Sequence, residues 1–220
     1  MSKSPPLSPG LSRAPGGGEG SECGLFTLDE LRHRSAECSL CTLSEGRNSV
    51  VFGEGPPDAV LLLVGEAPGA TEDETGRPFT GRSGKLLASL LEGEGLYREK
   101  IFITNMVKCR PPKNRAPTGA EIEACRPLLS AQVAALRPGL VVTVGNVPTR
   151  AFLSSKEGIT GLRGRFYDCA WEGMDLTVRP VFHPSYLLRN RSFAPGTPCA
   201  LTAGDVREIV RFLAKGAGGV

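Results

Sequence analysis

The sequence predicts a single α/β domain with a doubly wound, mostly parallel four-stranded central sheet flanked by helices. Four short apolar or β-branched runs recur along the chain, and helical patterns separate them. Strands that alternate with helices favour a parallel sheet with helices on both of its faces. The length of 220 residues suits one globular domain and is short for two.

The predicted strands are residues 59–64, 101–104, 140–144 and 176–182. The first and third runs are continuously apolar, which is typical of strands that are buried on both faces. These two runs are therefore expected to lie in the covered part of the sheet.

Three helices are predicted between and after the strands. The first carries an apolar stripe of four leucines, Leu86, Leu87, Leu90 and Leu91. The second opens with Thr118 and Glu121, which have the spacing of a capping box, and carries apolar residues from Ile122 to Val133. The third covers residues 203–215. All three place apolar side chains where they can pack on a sheet.

The two ends of the chain differ from the rest in composition. Residues 1–24 are rich in Pro, Gly and Ser without periodicity, so they are predicted to be a disordered tail. Residues 216–220 are expected to fray. The folded domain is thus predicted to span residues 25–215.

The composition limits the location and the partners of the protein. No apolar run is long enough to span a bilayer, and the N-terminus lacks the apolar segment of a secretory signal, so we expect a cytoplasmic protein and no membrane partner. The net charge of +3 permits a nucleic-acid partner without requiring one.

Polar or glycine-rich segments follow the predicted strands. They are GEAPG at 65–69, Asn105, the pair Gly145 and Asn146, and HPSYLLR at 183–189. In open parallel sheets, ligands bind at the carboxyl ends of the strands. The four segments are therefore expected to converge on one crevice, which is the candidate site.

Four of the seven cysteines form a pattern. Cys38 and Cys41 make a CxxC pair, and Cys109 and Cys125 each begin a CRP tripeptide. Four cysteines suit either an iron-sulfur cluster or zinc, although a zinc ribbon would use two CxxC pairs, and the CRP cysteines alone could be structural. Cys23, Cys169 and Cys199 have no spacing that indicates a metal.

Four segments of the sequence, in their order, resemble the motifs of the iron-sulfur uracil-DNA glycosylases, family 4 of that superfamily. They are CSLC, GEAPG with GRPF, the KCRPP to ACRP segment and HPSYLLR. The resemblance extends from about Cys38 to the last helix. It implies a structural four-iron, four-sulfur (4Fe-4S) cluster on Cys38, Cys41, Cys109 and Cys125. It also implies an enzyme of base excision repair that hydrolyses the N-glycosidic bond of deoxyuridine and leaves an abasic site.

The resemblance assigns catalytic roles at two strand ends. His183 would donate a hydrogen bond to uracil O2 as negative charge builds on the leaving base. A lone histidine is more often a core residue bonded to the backbone, but the HPSYLLR context favours the catalytic role. Glu66 is the first candidate for the carboxylate that activates water, and Asp73 is the second. A solvated turn residue is the alternative for Glu66.

The remaining predicted site residues bind the base or the DNA. Backbone amides around Gly65 and Ala67 would bind a uracil carbonyl, Phe79 would stack on the flipped base, and Asn105 would read its edge and reject cytosine. Ser185 is expected to contact DNA, Leu187 to wedge into the stack, and Arg189 and Arg191 to meet phosphates. Core or turn roles are the alternatives for Phe79, Asn105 and Leu187.

The predicted partner is uracil-containing DNA, single- or double-stranded, bound by a monomer near the nucleoid, with the tail as a contact for a replication or repair protein. Two other classes are weighed. A catalytically inactive damage-binding or tethering module would be free to lose Glu66, Asn105 and His183. A nucleotide-binding α/β protein with zinc would need a phosphate-binding loop, which GEAPG does not provide.

Overall fold

Five strands form one central sheet in the computed structural model, which describes residues 26–216. They are β1 (Leu61–Gly65), β2 (Ile101–Asn105), β3 (Leu140–Val144), β4 (Tyr167–Trp171) and β5 (Met174–Val181). The order across the sheet is β2-β1-β3-β5-β4. All neighbours pair in parallel except β4 and β5, which are antiparallel. The predicted fold class is confirmed, with five strands in place of the four that were predicted.

The strand that the sequence did not predict is β4. Its residues Tyr167 to Ala170 alternate between partly buried and exposed, so no apolar run marks it. It forms a hairpin with β5 through Glu172 and Gly173, which have φ angles of 49° and 78°. Two consecutive positive φ angles give the turn that best matches the twist of a hairpin. The sheet therefore ends in a half-exposed antiparallel edge.

Eight α-helices surround the sheet within the described residues. They are α1 (Leu28–Ser35), α2 (Ala70–Thr75), α3 (Arg82–Glu92), α4 (Gly119–Leu136), α5 (Asn146–Leu153), α6 (Ile159–Leu162), α7 (Pro184–Arg189) and α8 (Pro198–Gly216). The three predicted helices correspond to α3, α4 and α8. The capping box of α4 is present, because Glu121 N–H donates to Thr118 Oγ1 and Thr118 N–H donates to the Glu121 carboxylate.

Alternating side chains of the strands bury two separate cores. Leu62, Val64 and Phe102 pack with α1, α4 and α5 on one face. Leu61, Leu63 and Ile103 pack with α3 and α8 on the other. Both faces of β1 are thus covered, as its continuous apolar run predicted. No helix within residues 26–216 is both long and apolar enough to cross a membrane.

The predictions for the tail and for residues 217–220 lie outside the described residues, as does Cys23. Within the described part, α8 begins at Pro198, five residues before the predicted start, and its last residue is Gly216.

A buried ion-pair cluster fixes α8 to the sheet. Asp205, on α8, is 2% exposed and accepts hydrogen bonds from Arg163 at 2.8 Å and from Arg179 of β5 at 2.9 Å. The guanidinium of Arg179 also stacks 4.4 Å from the centre of the Phe166 ring. Because both Asp205 and Arg179 are buried, each charge depends on the other.

We expect Asp205→Ala to destabilise the protein by about 3–5 kcal/mol, because it leaves Arg179 buried without a counter-charge. The matched control is Glu94→Ala, which removes the partly buried partner of the exposed Arg207 and should cost about 1 kcal/mol or less. Thermal melting of both variants under identical conditions measures the difference. Equal melting temperatures would show that the Asp205 cluster does not hold α8.

Candidate active site

One large cavity opens at the carboxyl ends of β1, β2, β3 and β5. Its volume is about 690 Å³, within the range of small-molecule sites. All four segments that follow the predicted strands contribute to its lining: Glu66 to Gly69, Asn105, Gly145 with Asn146, and His183 with the start of α7. The structure thus brings the four strand ends to one crevice.

Most of the residues that were predicted for the site line this cavity. They are Glu66, Ala67, Phe79, Asn105, His183, Ser185 and Arg189. The exceptions are Gly65, Asp73, Leu187 and Arg191, which do not contribute to the lining.

His183 is held in one orientation by the first turn of α7. The backbone N–H of Ser185 donates to His183 Nδ1 at 3.2 Å, and the Ser185 hydroxyl lies 2.7 Å from the same atom. A backbone N–H can only donate, so Nδ1 is an acceptor and the neutral ring carries its proton on Nε2. Burial and the nearby Arg189 charge lower the pKa of His183, which favours this neutral form. Nε2 is therefore a donor for a ligand in the cavity.

Glu66 also contributes to the lining of this cavity. Its backbone is fixed because its carbonyl accepts a hydrogen bond from Val107 N–H at 3.3 Å. No hydrogen bond to a described residue engages its carboxylate. Burial raises the pKa of Glu66 above its usual value, as expected for a carboxylate that has left water without gaining a partner. Such a group is available to bind a water molecule or a ligand.

Asn105 and Phe79 approach the same glycine. A Cβ atom on Gly65 would lie 2.3 Å from Asn105 Oδ1 and 2.5 Å from Phe79 Cζ, so only glycine fits between them. Gly65 thus supports the wall of the cavity from behind and does not line it. Asn105 is 2% exposed, and its side chain faces the cavity without a hydrogen bond to a described residue. Its amide remains free to bind a ligand edge.

Phe79 adopts a strained backbone conformation. Its φ angle of 54° is in the left-handed region, where a bulky residue costs about 1–3 kcal/mol. Arg98 holds this conformation, because it donates to the carbonyl of Pro78 at 2.7 Å and to that of Phe79 at 3.4 Å. Arg98 is itself paired with Glu54. Strain that is held in this way beside a cavity is typical of a ligand-binding position.

Asp73 lies outside the cavity lining in the structure. Its side chain is 1% exposed, and both carboxylate oxygens accept hydrogen bonds, from Asn48 N–H at 2.9 Å and from Asn48 Nδ2 at 2.8 Å. Ser49 N–H adds a third bond at 3.3 Å. The geometry therefore assigns Asp73 to holding the 48–49 loop and not to activating water in the cavity.

Leu187 is buried in the structure, so its side chain is not at the surface where a wedge would act, and its predicted role as a wedge stays a prediction. It is 0% exposed and packs with Leu90, Ile159 and Phe182. The α7 helix turns it inward and leaves the preceding Tyr186 39% exposed at the cavity. Arg191 lies beyond α7, exposed and outside the cavity lining.

Glu72 is a site residue that the sequence reasoning missed. Its two carboxylate oxygens accept hydrogen bonds from Gly69 N–H at 3.1 Å and Gly81 N–H at 2.7 Å. It thereby ties the GEAPG turn to the start of α3. The signal was the Glu at the third position of a helix that begins after Gly69, which is a capping position.

The loop between the CRP cysteines also reaches the cavity. Asn114 and Arg115 contribute to the lining. Arg115 is paired with Glu121 at 2.6 Å, which anchors the loop to the first turn of α4. The basic loop therefore meets the same cavity as the strand ends.

The four patterned cysteines line a second, smaller cleft. Cys38, Cys41, Cys109 and Cys125 surround it, together with Arg47 and Lys108. Arg47 Nη1 lies 3.4 Å from Cys109 Sγ. Burial raises the pKa of Cys125 to about 11, so a metal that binds here must displace its proton. Within residues 26–216, no three His, Cys, Asp or Glu side chains are close enough to hold one metal ion.

Lys108 is fully buried between this cleft and the end of β2. Its ammonium donates to Thr104 Oγ1 and to the carbonyl of Asn105, both at 2.7 Å. Burial lowers the pKa of Lys108 to about 8, while the charges of Cys125 and Cys109 act in the opposite direction. The side chain contacts both the cysteines and the residue that faces the large cavity.

Comparisons with known proteins agree with these motifs. The family model described as "Uracil DNA glycosylase superfamily" matches residues 52–205. A type-4 uracil-DNA glycosylase of Thermotoga maritima is 45% identical over 76% of this chain and 88% of its own length. A type-4 uracil-DNA glycosylase of Sulfurisphaera tokodaii is 42% identical over 76% of this chain and 78% of its own length.

A type-5 uracil-DNA glycosylase of Pyrobaculum aerophilum is more distant, at 32% identity over 74% of this chain and 75% of its own length. The family model spans the whole sheet and the cavity of this chain. The chain therefore belongs to the uracil DNA glycosylase superfamily.

Proposed function

We propose that the protein removes uracil from DNA by hydrolysing the N-glycosidic bond of a flipped deoxyuridine. One observation carries this proposal: an unpartnered carboxylate on Glu66, the amide of Asn105 and the Nε2 donor of His183 face the same cavity. The names of the type-4 relatives give the substrate class. The direct test is incubation of the purified protein with a labelled uracil-containing oligonucleotide, followed by alkali to cleave abasic sites.

The base must leave the stack to reach the cavity. We assign Phe79 to stacking on the flipped uracil, since its strained backbone holds the ring against Gly65. Asn105 presents a donor and an acceptor to the edge of the base, which distinguishes uracil from cytosine. Backbone amides near Ala67 bind a carbonyl of the base.

Bond cleavage places negative charge on the leaving uracil and positive charge on the deoxyribose. His183 Nε2–H donates to the uracil oxygen where the negative charge develops, and it does so without giving up its proton. Glu66 on the other side orients a water molecule and stabilises the positive sugar. His183 therefore acts on the leaving uracil, and Glu66 acts on the deoxyribose at the other end of the same bond.

Side chains at the rim of the cavity and beyond it are the candidates for contacts with DNA. Arg189 lines the cavity and Arg191 is exposed beyond it, so both are available for phosphates. Ser185 contributes mainly by holding His183. Tyr186, and not Leu187, is the exposed apolar residue of α7 beside the cavity.

We further propose that the cysteine cleft holds a 4Fe-4S cluster. Cys38, Cys41, Cys109 and Cys125 line one cleft and would supply the four thiolates that hold such a cluster. The adjacent cations Arg47 and Lys108 suit an anionic group. The cluster would fix Cys109 and Cys125 at either end of the loop that carries Asn114 and Arg115 to the base cavity.

Two other functions are less well supported. A DNA-tethering module without activity has no use for an unpartnered, half-buried carboxylate opposite an oriented histidine. A nucleotide-binding protein would need a phosphate loop, and the GEAPG turn is instead occupied with Glu72. A monomer, a nucleoid location and a replication or repair partner of the tail stay predictions.

His183→Ala should lower the single-turnover excision rate about a hundredfold to a thousandfold, because it removes one preorganised donor to the leaving base. Equilibrium binding to uracil DNA should weaken far less. The control is His33→Ala, which removes the only other histidine, on α1. Should the loss of rate match the loss of binding, His183 is a DNA contact and not a catalytic residue.

Glu66→Gln should reduce the rate by a comparable factor and alter its pH dependence. Ionised Glu66 is the active form, and its pKa is raised, so the wild-type rate should rise with pH through a value above the usual range for a glutamate. This dependence should disappear in the variant, which leaves only the low-pH protonation of His183. Asp73→Asn is the matched control and should lower the melting temperature with little effect on rate. A larger rate loss in Asp73→Asn than in Glu66→Gln would reverse the assignment.

The purified protein should be brown and contain about four iron atoms per chain. Cys109→Ser should lose iron and colour, whereas Cys169→Ser should keep both, because Cys169 lies on β4 outside the cleft. Metal analysis after anaerobic purification and visible absorption measure this. A colourless wild-type protein with stoichiometric zinc would refute the iron-sulfur proposal.

A further inference from the structure

Lys108 is a buried cation with no carboxylate partner among residues 26–216. Its side chain is 1% exposed, and none of the ion pairs of the described residues includes it. Its two hydrogen-bond acceptors, Thr104 Oγ1 and the Asn105 carbonyl, are neutral. A buried ammonium is costly unless a negative charge compensates it. The compensating charge must therefore come from another group near the side chain.

The groups that can carry this charge in the same cleft are cysteines. Lys108 lines the cysteine cleft together with Cys109 and Cys125. A 4Fe-4S cluster in its usual oxidised state, with four thiolates, carries a net double negative charge. Lys108 and Arg47 together supply two positive charges at the cleft. These two charges match the double negative charge of the proposed cluster.

Lys108 also contacts the end of β2, which contributes to the base cavity. The ammonium bonds the carbonyl of Asn105, whose side chain faces the cavity, and the hydroxyl of Thr104, the residue before it. Thr104 Oγ1 donates to the carbonyl of Phe52 at 2.8 Å, and Gln132 Nε2 donates to the same carbonyl at 2.9 Å. The end of β2 is thus held by a buried polar network in which Lys108 is the only charged member.

From this juxtaposition we propose that Lys108 is a positioning residue: it links the cysteine-bound cluster to Asn105, so that the cluster supplies the counter-charge and Lys108 fixes the residue that reads the base. The inference rests on the proposed function. It gives the cluster a role at the base site in addition to pinning the loop between the CRP cysteines.

Three variants separate the charge of Lys108 from its hydrogen bond. Lys108→Met keeps an unbranched side chain of similar length and removes both the charge and the bond to Asn105. Lys108→Gln removes the charge but keeps an amide that can donate to the Asn105 carbonyl. Arg47→Met is the matched control, because Arg47 is a cation beside the same cysteines whose hydrogen bonds go to Cys38, Cys109 and Ala36 and to no residue of β2.

The measurements are iron content, the reduction potential of the cluster and single-turnover excision. A nearby positive charge favours the reduced cluster, so all three variants should lower the potential. Lys108→Met should excise uracil about tenfold more slowly than wild type, as expected for loss of one charge-assisted bond. Lys108→Gln should recover most of that rate while its potential stays low, and Arg47→Met should lose several-fold less rate than Lys108→Met.

Several results would overturn the proposal. They are an unchanged potential in Lys108→Met, a rate for Lys108→Met equal to that of Arg47→Met, or a rate for Lys108→Gln no better than that of Lys108→Met. If Lys108→Met does not fold, the comparison of Lys108→Gln with Arg47→Met tests the proposal. The proposal then requires that Lys108→Gln has a lowered reduction potential and excises uracil at nearly the wild-type rate. Wild-type protein without iron or without excision would instead refute the proposed function, so the two failures are distinguishable.

Discussion

Parallel pairing of β1 with β2 and β3 is the constraint on which the site depends. Gly65 lies opposite Asn105 in the register of β1 and β2, and this register sets the distance from the GEAPG turn to the Asn105 amide. A slip by one residue would turn Asn105 to the other face of the sheet. The two apolar cores that cover β1 prevent such a slip, because each alternate side chain already belongs to one core.

Around this fixed edge, three polar clamps hold the parts of the cavity that no strand supports. Glu72 ties the turn after β1 to α3, Arg98 with Glu54 holds the strained peptide at Phe79, and the turn at Ser185 orients His183. Each clamp satisfies backbone groups that would otherwise be unpaired near the cavity. Preorganisation here comes from these hydrogen bonds as much as from apolar packing.

The parts that could be predicted from sequence are those encoded in consecutive residues. Apolar runs identified the covered strands, the Thr118 and Glu121 spacing identified the start of α4, and the segments after the strands identified the crevice. The roles of neighbouring acidic residues could not be told apart in this way. Glu72 and Asp73 are adjacent on α2, and only the packing of α2 shows that Glu72 holds the site while Asp73 holds the 48–49 loop. For the same reason Leu187 was expected at the surface, although the short α7 turns it into the core, and Lys108 carried no signal beside a cysteine motif.

The positions of the cysteines along the chain set an order for the maturation of the protein in the cell. Cys38 and Cys41 are synthesised before Cys109 and Cys125, and Cys125 lies on α4, which packs on α1. The proposed cluster, which needs all four ligands, could therefore enter only after Cys125 has been made, and three of the five strands, β3, β4 and β5, come after that residue in the chain. Under the cluster proposal, the first pair of thiols stays without its full ligand set until then, so the yield of loaded protein would depend on the supply of iron during synthesis.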